Sequence, residues 1–186
     1  MEGQSENNAA IPNIGTDDPH PNTAITDEDV ISGLNDLAYS YLNSSDFSLV
    51  MWNGFDRPGT NMKGSRHYFD HQSSVDFGNA VTVAHFMASR KVPYDLPRLQ
   101  AQRSNATVYL NPIVCDDGAV VNLRKGLRFA LDMAIERKHI INSLYKAAAK
   151  ANETSVLRFM RTDKIRWLRG GDIELTISQN GEKACS

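Results

Sequence analysis

The chain has 186 residues, 41% of them hydrophobic, with a formal net charge of −2, which suits one domain carrying a real core, or one domain with a tail. No apolar run of about 18 residues exists, so no transmembrane helix is expected, and the first thirty residues lack the basic start and apolar stretch of a secretory signal. Cys115 and Cys185 lie far apart without the CxxC spacing of a redox or metal motif, which reads as two reduced thiols in a cytosolic protein, with a single disulfide as the alternative.

The small net charge conceals an asymmetry. Residues 1–30 hold seven Asp/Glu and no Lys or Arg, whereas residues 122–169 hold twelve Lys/Arg against four Asp/Glu. An acidic end and a basic block point to a region that meets an anion, with nucleic acid and a membrane surface as the common cases. A solvated helical face is the plainer alternative.

Residues 1–25 are rich in Asn, Asp, Pro, Gly and Ser and predict a flexible acidic arm. Thr26 is placed to cap a first helix, with Asp27, Glu28 and Asp29 in the first turn and Val30, Leu34, Leu37, Ala38, Tyr41 and Leu42 on its apolar face, ending near Asn43. The apolar run 47–52, FSLVMW, fits a strand or one buried helical turn. Gly54, Pro58, Gly59 and Gly64 predict a long loop over 53–72. Ser73 or Ser74 then caps a second helix, whose face is Val75, Phe77, Ala80, Val83, Ala84 and Met87. Pro93 and Pro97 make 92–100, VPYDLPRLQ, a rigid connector. The turn signal Asp116-Asp117-Gly118 between β-branched arms predicts a hairpin over 106–121, although Pro112 interrupts its first arm.

The segment from Asn122 to Asn152 contains no proline and, apart from Gly126, no helix breaker. Leu123, Leu127, Ala130, Leu131, Ala134, Ile141, Leu144, Tyr145 and Ala148 recur at helical spacing. Arg124, Lys125, Arg128, Arg137, Lys138, Lys146 and Lys150 occupy its other faces, opposed by Asp132 and Glu136. Residues 153–168 read as continued helix, stopped by Gly170-Gly171. Residues 172–178, DIELTIS, alternate like a half-buried strand, and residues 179–186 read as a loose tail. The expected fold is therefore mainly α: a single helical core domain over 26–178, a small β-hairpin or C-terminal strand, and flexible terminal arms.

Two candidate sites stand out. His67, Asp70 and His71 form a His-x-x-Asp-His set, conceivable as metal ligands of a small enzyme or effector, but no second cluster completes it and packing in a loop is the default. No nucleophile elbow, phosphate loop or zinc motif is present, so no catalytic residue, metal or cofactor is assigned. Arg128 and Asp132, four apart, read either as an exposed intrahelical ion pair or as a carboxylate orienting an arginine toward a phosphate. Tyr145, Phe159 and Trp167 stand among the cations and would offer stacking surfaces to a single strand.

Five short segments, LVMWNG (49–54), AHF (84–86), PYDLPRL (93–99), RFALDMAI (128–135) and KAAA (146–149), occur in the order seen in coat proteins of flexuous filamentous plant viruses, the potyvirus type above all. The chain resembles that family over roughly residues 49–150. The resemblance implies a helical capsid subunit that stacks around single-stranded genomic RNA in the virion, made in the host cytoplasm, with arms linking neighbouring subunits and no membrane partner. It also implies that Asp132, which falls on the family's core aspartate, belongs to an RNA-proximal pocket. The family's pocket arginine, five residues before the histidine of AHF, is Ala80 in this chain. Arg128, with Arg124 and Lys125 beside it, is taken as the replacement cation on charge and proximity.

Overall fold

The computed structural model describes residues 23–55, 63–95 and 123–161. They form α1 (Glu28–Phe55), α2 (Lys63–Ser89), α3 (Leu123–Lys150) and α4 (Thr154–Arg161). The mainly helical expectation holds, and there is no strand among the described residues. The hairpin over 106–121, the strand 172–178, residues 1–22 of the acidic arm and the tail 179–186 lie outside the described residues; Ile25, expected in the flexible arm, is instead buried in the core with its N–H donated to the Arg90 carbonyl.

α1 is the central element. It packs along both α2 and α3, while α4 folds back on α3. Both long neighbours run antiparallel to it. Asn35 meets Pro93 just beyond α2, and Ser45 meets Ser73 nearer its start. Along α3, Gly33 lies against Leu144, Ser40 against Arg137 and Phe47 against Phe129.

α1 begins one residue later than Thr26 suggested. The cap is Asp27, whose Oδ1 accepts the Val30 N–H at 3.0 Å, and the Asp27 carbonyl accepts the Ile31 N–H at 2.9 Å. The helix then runs past Asn43 to Phe55 and absorbs FSLVMW as helix rather than strand. The reason is packing of small side chains. Ser44, Ser45 and Ser48 are buried, and the first two meet α2. There the Ser45 hydroxyl donates to the Ser73 carbonyl at 3.0 Å, and the Ser73 hydroxyl donates to the Ser45 carbonyl at 3.1 Å. Serines that read as helix ends are instead what lets two helices approach.

The loop expected over 53–72 is helix at both its ends, and residues 56–62 lie outside the described residues. Residues 53–55 close α1, and 63–72 are the first turns of α2, with Gly64 in open space and Phe69 fully buried. Ser73 and Ser74 are therefore mid-helix, not caps. α2 and α3 each end on a residue in the left-handed region, Lys91 (φ 55°) and Asn152 (φ 57°). Each closes a paired C-terminal bond set: Val92 N–H to Met87 carbonyl with Lys91 N–H to Ala88 carbonyl, and Glu153 N–H to Ala148 carbonyl with Asn152 N–H to Ala149 carbonyl. The second of these breaks the continuous helix expected after residue 152, so α4 is a separate short helix. Phe159 from α4 stacks on Phe86 of α2, ring centroids 4.1 Å apart.

Residues 93–95, just after α2, are tied along α1; the rest of the expected connector lies outside the described residues. Asn35 Nδ2 donates to the Pro93 carbonyl, Asp95 N–H donates to Asn35 Oδ1, and the Tyr39 hydroxyl donates to the Asp95 carbonyl. The apolar core falls into two clusters. One gathers Val30, Leu34, Leu37, Val83, Met87, Ile141, Leu144 and Val156; the other gathers Phe47, Met51, Phe55, Phe69, Leu123 and Leu127. A layer of buried polar groups lies between them.

Candidate functional site: a buried charge layer and a basic outer face

The polar layer is built on one ion pair. Arg137 of α3 and Asp76 of α2 meet across α1 with Nη1 to Oδ1 at 3.1 Å, their side chains only 4% and 1% exposed. Such a pair survives burial only when its remaining donors and acceptors are filled. Here Arg137 Nε donates to Ser40 Oγ at 3.2 Å, Nη2 donates to the Ser40 carbonyl at 3.1 Å, and the Ser44 hydroxyl donates to Asp76 Oδ2. The Ser40 hydroxyl in turn donates to the Leu37 carbonyl. The guanidinium also lies 4.2 Å from the centre of the Tyr41 ring, a desolvated cation–π contact. Burial pushes the Tyr41 phenol up to about 12, Arg137 opposing that rise and Asp76 adding to it.

Each partner sits on the apolar stripe of its own helix. Asp76 shares a face with Phe69, Gln72, Ala80, Val83 and Met87, and Arg137 shares one with Leu123, Leu127, Ile141, Leu144 and Ala148. The signal in the sequence was therefore a single charge on each buried stripe. Periodicity alone does not separate Arg137 from the basic face of its helix, nor the exposed Phe77 from the core stripe of α2.

The sequence-derived candidates are elsewhere. Arg124, Lys125, Arg128 and Asp132 are all on the outer face of α3. Arg128 and Asp132 face each other across 3.6 Å with side chains 70% and 57% exposed, the geometry of a solvated i,i+4 pair worth a few tenths of a kcal/mol. Ala80, where the resembling family carries its pocket arginine, is buried in the first apolar cluster. The structure does not bring Asp132 together with Ala80's surroundings. The buried acid and cation of this chain are instead Asp76, one turn before Ala80, and Arg137, five residues after Asp132.

Lys138, Lys146 and Lys150 extend the exposed cations of α3, broken by Asp132 and Glu136. Tyr145 is exposed among them, its hydroxyl accepting from Arg161 Nη2 of α4 at 3.1 Å. Phe159 is half-buried against Phe86, and Trp167 lies outside the described residues. His67, Asp70 and His71 are exposed on α2, and among the described residues no group of three or more His, Cys, Asp or Glu side chains is placed to hold a metal ion. No helix among the described residues is long and apolar enough to cross a membrane. No family model and no curated protein matches this chain.

Proposed function

We propose that this protein is a coat protein of nucleocapsid type that polymerises and packages single-stranded RNA, in the manner of the flexuous filamentous plant viruses whose coat proteins it resembles. The observation that carries the reading is the outer face of α3. Arg124, Lys125, Arg128, Lys138, Lys146 and Lys150 lie exposed along one helix of 28 residues, about 42 Å long. Cations spread along a rigid rod follow a phosphate backbone without reading sequence, and Tyr145 adds a ring surface for a base.

Polymerisation would make weak contacts sufficient. A few phosphates neutralised per subunit add along a strand that many subunits share. The buried Asp76–Arg137 layer supports the same reading indirectly, because it holds α1, α2 and α3 together and so holds the basic face straight.

Electron microscopy of the purified protein mixed with single-stranded RNA tests the proposal. Filaments or rings are expected at low salt, and a strict monomer that ignores RNA there would overturn it. Within that reading Asp132 orients Arg128 toward the strand, so Asp132→Ala should lower assembly while the circular dichroism spectrum and melting of the monomer stay unchanged. Normal assembly by that variant would remove Asp132 from the site.

A further inference from the structure

Residues 1–22 carry Glu2, Glu6, Asp17 and Asp18 and no Lys or Arg. The chain joins the described fold beside the C-terminal half of α3. The Ile25 N–H donates to the Arg90 carbonyl at the end of α2, Asp27 caps α1, and Gly33, six residues on, is in contact with Leu144. Lys146 and Lys150 are within two turns of that contact on the same helix, both exposed. A stretch of 22 residues reaches at most about 75 Å, against about 42 Å for the whole of α3. Every cation of the outer face is therefore within its span.

We infer that the acidic segment 1–22 docks on the basic outer face of α3 in its own subunit and competes there with RNA. Four carboxylates face a surface with Arg124, Arg128, Lys138, Lys146 and Lys150, and a tethered anion acts at an effective concentration no free competitor matches at equal dose. The contact is weak and screened, so a long polyanion displaces it. This makes the segment a threshold on non-specific binding. Short or dilute anions fail to dislodge it, while a continuous RNA strand engaging several subunits succeeds. The inference rests on the RNA reading for the competitor, but not for the docking itself.

Two measurements on the full chain separate those parts. Zero-length carbodiimide coupling at 50 mM salt should join Glu2, Glu6, Asp17 or Asp18 to Lys138, Lys146 or Lys150 within the monomer fraction, as read by peptide mass spectrometry. The yield should collapse at 0.5 M salt. Absence of such links at low salt overturns the docking. In parallel, the variant carrying E2Q, E6Q, D17N and D18N should bind a uridine 20-mer about fivefold to tenfold more tightly than the parent at low salt, with the difference lost at high salt. Equal affinities overturn the competition. If neither protein binds the 20-mer, the RNA reading and the competition fall together, and the cross-links decide the docking alone.

Discussion

Asp76 and Arg137 are the residues on which the three long helices agree. Removing either charge leaves the other buried without compensation, so Asp76→Leu or Arg137→Met alone should cost about 3–5 kcal/mol in chemical denaturation. The double variant should cost much less than the two single losses added, because an apolar pair has no charge to strand. Additive losses would show that the two residues do not act as a pair. Tyr41 gives this layer a pH signature. Its folded-state value of about 12 lies above the ordinary 10, so the fold favours the neutral phenol. That contribution is complete below about pH 10 and is lost as pH rises through about 12, at most roughly 2–3 kcal/mol. Tyr41→Phe keeps the ring under Arg137 and should flatten the stability profile over that window. An unchanged profile in the variant would assign the alkaline loss to another group.

Among the elements, helix ends and helix crossings carry different chemistry. Lys91 holds φ 55° at the end of α2, a conformation that costs a side-chain-bearing residue about 1 kcal/mol or more and glycine almost nothing. Lys91→Gly should therefore raise the stability of the folded chain by about 0.5–1 kcal/mol, the gain being trimmed by glycine's greater freedom when unfolded; a loss would mean that the lysine side chain holds a contact that outweighs the strain. Asn152 stands at the matching position after α3, where its short polar side chain tolerates the same conformation. At the α1–α3 crossing the constraint is space. A Cβ on Gly33 would lie 3.0 Å from Leu144 Cδ1 and 3.3 Å from Leu144 Cβ. The helices meet too closely there for alanine without a shift, despite alanine's better helix propensity.

For the molecule as a whole, charge is sorted by depth and by end. Among the described residues Asp76 and Arg137 are buried as a pair at the centre, Arg90 is buried at the end of α2, and the remaining cations of α3 face outward, so the outer face of that helix is basic. On the proposed function Arg128→Ala should weaken binding to single-stranded RNA without regard to sequence, and should reduce the slope of log affinity against log salt by about 0.7. A slope identical to the parent's would take Arg128 off the RNA path. Asp76→Leu provides the contrast, since its loss should show in melting before it shows in any binding slope.

Much of this fold is legible from the chain alone. The helix from Leu123 to Lys150 follows from one apolar stripe recurring at three and four, and the first and second helices follow from theirs, because burying such a stripe is a local, periodic requirement. The outward cations of α3 follow from the same pattern. What the chain alone misplaced were the segments whose meaning depends on a neighbour. The first helix reads as ending near Asn43, and Ser73 as a cap, until Ser45 and Ser73 stand within hydrogen-bonding distance of each other, and His67 to Gln72 read as loop until Phe69 has a pocket to fill. Arg137 read as one more surface cation because nothing in its own helix reveals an aspartate 61 residues away. Periodicity and charge balance belong to the sequence; which polar residues are buried, and against what, is decided only when distant segments pack, because the desolvation of a charge and its compensation are properties of the pair.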